Sequence, residues 1–222
     1  MQNHALLLGH RGARGVKNVG ENTLASFDLA LSQGCDGFEF DVRLTADAQA
    51  VICHDPSTRG LEISQHPAQS LVLPCLRDIL ARYHSTAFLD IELKVPGLER
   101  IAIDLLREFQ PSCGFVVSSF IPEVLTGIYD LDKIIPLGLI CETRDQLSLW
   151  SKLSVSHVIP HYRLLSQKLL RELKAERKKV FVWTVNSPAT IKRFSSWQVD
   201  GIISDYPERL SITLAQQPAS QL

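Results

Sequence analysis

No run of apolar residues in this chain approaches the roughly 20 that a membrane-spanning helix requires. Nor does it open like a secretory leader: Met1-Gln2-Asn3-His4-Ala5-Leu6-Leu7-Leu8 has no basic residue and runs straight into a polar motif, so no signal peptide is expected. An excess of charge of one sign is also missing. The 23 Lys and Arg against 24 Asp and Glu leave a formal net charge of −1, which gives no reason to expect nucleic acid or an anionic membrane as a partner. Any anionic substrate has to be captured locally, by a few placed cations and a metal. The five cysteines (Cys35, Cys53, Cys75, Cys113, Cys141) are odd in number and form no Cys-x-x-Cys pair, which predicts reduced thiols and a cytoplasmic protein. The Gly-x-Gly-x-x-Gly fingerprint of dinucleotide-binding open sheets is absent. No linker, repeat or low-complexity tract divides the chain, and only the tail after Ala215 reads as loose.

At 45% hydrophobic and 21% charged, the 222 residues can bury a sizeable core. Short apolar runs alternate with helical patterns from end to end. The runs are Leu6 to Gly9, Gly37 to Leu44 (extended by Ala50 to His54), Ala87 to Lys94, Gly114 to Phe120, Ile135 to Cys141, His157 to Pro160, Val180 to Val185 and Gly201 to Ser204. Helices are predicted between them; Asn22 and Thr23 offer N-caps, and Pro188 and Pro207 mark helix starts. Residues 55–75 are polar, with turn formers and little periodicity. Eight βα units in about this length match a (β/α)₈ TIM barrel, typically about 250 residues, here one domain over residues 1–222 with a short insertion after strand 2.

The stretch Gly37-Phe38-Glu39-Phe40-Asp41-Val42 is chemically the most demanding. Side chains alternate faces in a strand, so Phe38, Phe40 and Val42 point one way and Glu39 and Asp41 the other. Phe88-Leu89-Asp90-Ile91-Glu92-Leu93-Lys94 repeats the pattern, with Asp90, Glu92 and Lys94 on one face. Clustered carboxylates need a partner charge, a shared proton or a metal. Glu39, Asp41 and Glu92 supply three oxygen ligands, which suit a hard divalent cation such as Mg²⁺ or Ca²⁺; the alternative is salt bridging to Arg11, Arg43 and Lys94. His10, Arg11, His54, Lys94 and Trp183 all fall at strand ends, where barrel enzymes place their chemistry. Two histidines on that rim can serve as acid and base near neutral pH. Arg11 and Lys94 can hold phosphate oxygens, and Trp183 can form a substrate platform. Glu21 reads equally as a site residue or as helix-start chemistry, while His157, His161 and Asp205 read as structural or peripheral.

The chain resembles the glycerophosphodiester phosphodiesterase family. The carrying segments are Gly9-His10-Arg11-Gly12, Glu21-Asn22-Thr23, Glu39-Phe40-Asp41-Val42, His54-Asp55, Ile91-Glu92-Leu93-Lys94, Ser118-Ser119-Phe120, Val182-Trp183-Thr184-Val185-Asn186 and Asp200-Gly201-Ile202-Ile203-Ser204-Asp205-Tyr206-Pro207. The resemblance implies a (β/α)₈ barrel in which Glu39, Asp41 and Glu92 bind one metal ion and His10 and His54 form an acid/base pair. It further implies that Arg11 and Lys94 contact phosphate and that Trp183 lines the alcohol pocket. The implied reaction releases sn-glycerol 3-phosphate and an alcohol from a small glycerophosphodiester; the glycerol 2-hydroxyl attacks phosphorus and water opens the resulting cyclic phosphate. A lysophospholipase D-like activity on longer lipids and a non-catalytic barrel that binds phosphorylated ligands are the alternatives. Gly20 stands where the family usually has Pro, Asp90 where Asn is common, and residues 55–75 where many members carry a longer segment. That short cover predicts weak discrimination among head groups, within about tenfold (~1.4 kcal/mol).

Overall fold

The computed structural model describes residues 5–215; residues 1–4 of the stretch read for a leader, and the tail after Ala215, lie outside them. The chain begins with β1 (Leu6–His10), α1 (Leu24–Ser32), β2 (Gly37–Leu44) and β3 (Ala50–Ile52). Then come β4 (Ser57–Thr58), β5 (Leu61–Glu62), α2 (Ala68–Leu71), α3 (Leu76–Tyr83), β6 (Phe88–Leu93), α4 (Glu99–Phe109) and β7 (Phe115–Ser119). It continues through α5 (Pro122–Leu131), β8 (Leu137–Cys141), α6 (Arg144–Leu147), β9 (His157–Pro160) and α7 (Gln167–Ala175). It ends with β10 (Lys179–Val182), α8 (Pro188–Ser196), β11 (Gly201–Ser204) and α9 (Pro207–Ala215). Eight of the strands pair in parallel in the order β1, β11, β10, β9, β8, β7, β6, β2, and β2 pairs back onto β1. The result is a closed (β/α)₈ barrel, and each of the eight predicted runs supplies one of its strands.

Alternation along the strands sorts the side chains into two cores. Outward, Phe38, Phe40 and Val42 of β2 are fully buried against the helical layer. Phe27 of α1 stacks on Phe38 with ring centroids 4.2 Å apart, and Tyr83 of α3 meets Phe38 edge-on at 5.0 Å. Truncating such a ring to Ala typically costs about 3–5 kcal/mol, so this cluster anchors the strand that carries two of the acids. Inward, Leu8, Phe88, Val116, Ile140, Ile159, Phe181 and Ile203 form a second cluster. They come from every barrel strand except β2, and they plug the lumen as barrel interiors are plugged. β2 instead begins at Gly37, where a Cβ would sit 1.9 Å from the Phe88 carbonyl oxygen. Only glycine lets β2 and β6 approach in the register that pairs Glu39 with Asp90 and Asp41 with Glu92.

The structure differs from the sequence reading after β2. Ala50–Ile52 does not prolong the second barrel strand; it folds back and pairs antiparallel with Val42 to Leu44. Thr45 makes the reversal: its hydroxyl donates to Asp47 Oδ1 at 2.5 Å and accepts from the Gln49 N–H at 2.9 Å. Residues 55–75 are not a bare loop either. They hold the β4–β5 hairpin, a 3₁₀ turn at Ile63–Gln65 and α2, gathered around Val51, Ile63 and Leu71, each at most 1% exposed. No helix among the described residues is long and apolar enough to cross a membrane.

Candidate active site

The lumen-facing positions of each strand continue past the apolar plug to the C-terminal rim, where they change chemistry. Above Leu8 comes His10, above Gly37 come Glu39 and Asp41, and above Phe88 come Asp90 and Glu92. Glu39, Asp41 and Glu92 are buried, and one oxygen from each lies within 4.8 Å of the others. Lys94 Nζ sits 2.7 Å from Glu92 Oε1 and 3.2 Å from Asp41 Oδ1. Arg11 Nε approaches Asp41 Oδ2 at 3.2 Å, out of line for a hydrogen bond, so the contact is one of charge alone. Arg43 turns away and donates to the His54 carbonyl at 2.8 Å.

Salt bridging therefore accounts for only part of the cluster, because two cations face three carboxylates with Asp90 beside them. Burial, and then Asp41, Glu92 and Asp90, hold Glu39 well above the usual carboxylate range. Burial and Asp41 push Glu92 up to about 7, against the pull of Lys94. Asp41 is the exception: burial opposes its charge, but Lys94, Arg11 and the Asn22 amide together hold it low. Glu39 Oε1 and Asp41 Oδ1 are buried and accept no hydrogen bond. Repelling, all-oxygen donors with free lone pairs are what a hard divalent cation would satisfy, so these three residues fit one. Asp90, wholly buried, is raised to about 7 by burial, with Ser118 Oγ donating to it at 2.5 Å.

The turn after β1 supplies the next groups. Arg11 has φ 49°, and its N–H donates to Glu39 Oε2 at 3.0 Å. Gly12 follows at φ 77°, where a Cβ would lie 2.0 Å from Ser26 Oγ, so no other residue fits. Glu21 proves to be part of this assembly and not a helix-start group. Its carboxylate accepts from Arg11 Nη1 and Arg14 Nε, both at 2.8 Å. Thr23 is the N-cap of α1, while Asn22, in the left-handed region at φ 57°, donates its amide to Asp41 Oδ2 at 2.8 Å.

His10 is buried, and its Nδ1 lies 2.7 Å from Asp205 Oδ1; its Nε2 is on the other side, 3.8 Å from Glu39 Oε2. Burial lowers the pKa of His10, with Asp205 acting in opposition. Asp205, read as peripheral in the sequence, is thus the buttress of a candidate catalytic histidine. Its other oxygen accepts from Asn186 Nδ2 at 2.6 Å, and Asn186 Oδ1 in turn accepts from the Asp205 N–H and Ser204 Oγ. His54 enters from the loop after β3, its Nδ1 2.7 Å from Asp55 Oδ1. Both ring orientations leave Nε2 as the free nitrogen.

A cavity of about 280 Å³ joins these groups to an apolar wall. His10, Arg11, Glu39, His54, Glu92 and Lys94 line one side; Phe120, Ile140, Glu142, Ile159, Trp183 and Ile203 line the other. Trp183 donates its indole N–H to the Ile159 carbonyl at 2.9 Å and meets Phe120 and His161 edge-on, at 5.6 and 5.5 Å. All eight residues expected at the site face this one mouth, Asp41 from just beneath it. The sequence reading missed Asp205 and Glu142. Each lies two residues beyond a lumen-facing isoleucine, Ile203 or Ile140, and strand alternation carried one step further would have placed both on the rim.

A closed parallel barrel whose rim pairs a metal-ready acid cluster with two histidines and two cations defines a hydrolytic class that handles anionic substrates. The comparisons narrow it. The model of the glycerophosphoryl diester phosphodiesterase family matches residues 10–103 and 99–209. The Bacillus subtilis protein YhdW is 32% identical over 233 residues, covering 91% of this chain and 95% of that one. A glycerophosphodiester phosphodiesterase of Caldanaerobacter subterraneus is 28% identical, covering 92% and 96%. Among solved structures, an Oleispira antarctica phosphodiesterase in complex with its product sn-glycerol-3-phosphate superposes with a TM-score of 0.84 at 24% identity, over 96% and 98% of the two chains. This chain belongs to the glycerophosphoryl diester phosphodiesterase family.

Proposed function

We propose that the protein hydrolyses small glycerophosphodiesters to sn-glycerol 3-phosphate and an alcohol, with His10 and His54 as the acid/base pair. The observation that carries this reading is the convergence on one cavity of two carboxylate-buttressed histidines, the Glu39–Asp41–Glu92 cluster, Arg11 and Lys94. Glu39, Asp41 and Glu92 would hold one Mg²⁺ or Ca²⁺ ion, which would supply Lewis-acid positive charge at the reacting phosphate when bound. Arg11 and Lys94 draw in the phosphate; Glu21 and Phe120 keep their heads in place, with Lys94 Nζ 5.7 Å from the Phe120 ring centroid. One histidine removes the proton of the 2-hydroxyl as its oxygen bonds to phosphorus, and the other gives a proton to the departing alkoxide. The roles then exchange, so that a water proton is taken and the 2-oxygen regains one as the cyclic phosphate opens. The unpaired thiols of all five cysteines fit a cytoplasmic setting.

The test is a coupled assay for glycerol 3-phosphate with glycerophosphocholine, run with Mg²⁺ or Ca²⁺ and again after chelation. Turnover that depends on the divalent ion and disappears with a 2-deoxy glycerol analogue is the expected result. Unimpaired cleavage of that analogue would overturn the mechanism, and full activity of the metal-free protein would overturn the metal.

A further inference from the structure

The carboxylates of β2 and β6 form a two-by-two block at the barrel mouth. In the parallel register Glu39 stands beside Asp90 in a lower layer, and Asp41 beside Glu92 in an upper one. The side-chain cations serve the upper layer: Lys94 Nζ contacts both Asp41 and Glu92, and Arg11 Nε faces Asp41. The lower layer is hydrogen-bonded by neutral donors, the Arg11 main-chain N–H on Glu39 Oε2 and the Ser118 hydroxyl on Asp90 Oδ1. The second oxygen of each, Glu39 Oε1 and Asp90 Oδ2, is buried and accepts no hydrogen bond. Asp90 is 0% exposed, borders the cavity that Glu39 and Glu92 line, and has no ion-pair partner among the described residues. A buried carboxylate without a counter-charge is costly. If Asp90 served only to anchor Ser118, one oxygen would suffice and a neutral amide would do as well. The unpartnered pair of oxygens instead calls for positive charge delivered to the lower layer.

We infer that Asp90 is a fourth carboxylate of the divalent-ion site, strengthening its hold on the ion from the layer beneath. The inference rests on the proposed Glu39–Asp41–Glu92 site and adds a residue to it. Those three bring one oxygen each within 4.8 Å of the others and make up the close donor set. Asp90 stands behind that set and acts by its charge and its free Oδ2. The balance of charge agrees. Four carboxylates against Arg11 and Lys94 leave a deficit of two positive charges, which one divalent ion fills. With an amide at position 90 the deficit would be one, and the same ion would leave a surplus. Removing a partner that stands behind the direct ligands typically costs about 10–100-fold in metal affinity.

The experiment titrates Ca²⁺ and Mg²⁺ calorimetrically into chelator-stripped unaltered protein, Asp90→Asn and Asp90→Ala, and records the melting of each without the ion. Asparagine keeps the size of the side chain and an oxygen for Ser118 while losing the charge. Asp90→Asn should melt higher than the unaltered protein, because one of four crowded carboxylates is gone. It should also bind the ion about 10–100-fold more weakly, and Asp90→Ala should lose at least as much affinity. The opposite signs are the signature of a charge kept for the ion. A residue needed only for packing would lower the melting temperature and leave the affinity of the folded protein alone. Undiminished ion affinity in Asp90→Asn, or failure of both variants to fold, overturns the role of Asp90 and leaves the Glu39–Asp41–Glu92 site standing. An unaltered protein that binds neither ion overturns that site and the role of Asp90 with it.

Discussion

Asp205→Asn probes how far His10 depends on its support. In the structure Asp205 serves one close donor on each oxygen, His10 Nδ1 at 2.7 Å and Asn186 Nδ2 at 2.6 Å, with Arg14 Nη1 more distant at 3.5 Å. An asparagine amide has one oxygen and one nitrogen, so it can satisfy only one of them. If its oxygen serves His10, its nitrogen faces the Asn186 amide nitrogen, whose own oxygen is already committed to Ser204 and the residue-205 N–H. If it serves Asn186, His10 faces a donor and adopts the other tautomer, with the proton moved to the nitrogen nearer Glu39. A hydrogen bond to a charged group contributes about 1.5–3 kcal/mol, which is roughly 10- to 150-fold in rate. The entire acid–base contribution of one residue is about 10²–10⁴-fold, so the expected loss in kcat is ~10–100-fold. KM should change little, because Asp205 lies behind the histidine and makes no direct contact with Arg11 or Lys94, the cations proposed to hold phosphate. Glycerol 3-phosphate release gives kcat and KM; thermal melting confirms that the barrel is intact. A folded Asp205→Asn protein with near-native kcat, or with its defect confined to KM, would refute the buttress argument.

Glu39→Gln relieves a buried carboxylate crowded by three others and should raise the melting temperature of the metal-free protein, whereas Glu92→Gln also gives up the Lys94 contact and should not; both should abolish calorimetrically detected Mg²⁺ or Ca²⁺ binding and lower turnover by orders of magnitude, and metal affinity retained in either would contradict the cluster's role. His10→Ala and His54→Ala should each cost at least about 100-fold in kcat, and the double variant less than the product, since the two act as a unit; near-native turnover of His54→Ala would remove it from the pair. His157, 3% exposed and with its Nε2 unpartnered, has its pKa lowered by burial, and then by Lys179, to about 3. The unfolded chain takes up that proton below about pH 6.5 and the folded one does not, so stability falls on acidification by up to ~1.4 kcal/mol per pH unit. Between pH 7 and 5 the unaltered protein should therefore lose about 2 kcal/mol more than His157→Met in urea unfolding; parallel losses would show that His157 is protonated in the fold.

The sequence was most readable where structure is local. The alternation in Gly37 to Leu44 places four apolar side chains outward and two acids inward within eight residues, and nothing distant can alter that order. The same logic reached Glu92 and Lys94. It was least readable where partners meet only after the barrel closes. Asp205 and His10 are 195 positions apart and become neighbours because β11 lies beside β1. Ala50-Val51-Ile52 looks like more of the second strand, since a β-rich run does not say which way the chain travels; the reversal is set by Thr45 and Asp47 in a turn without a glycine. Asn22 is a good cap by type, yet the position next to it captured that role and left its amide for Asp41.

His54 stands where the barrel meets the insertion: Asp55 braces its ring from the insertion side, and the barrel holds its main chain. The Cys53 N–H donates to the Asp41 carbonyl at 3.0 Å, and Arg43 of β2 grips the His54 carbonyl, so the histidine takes its position from the barrel. The hairpin, 3₁₀ turn and α2 that follow pack Ile63 and Leu71 onto Val51 of β3, the strand that leads into His54. The rim is thus divided into a fixed bench and an interchangeable fitting. A longer or shorter cover between residues 56 and 74 that still covers Val51 would leave Asp55 and the main-chain anchors of His54 in place. Reach over the substrate and the chemistry beneath it are then free to change separately.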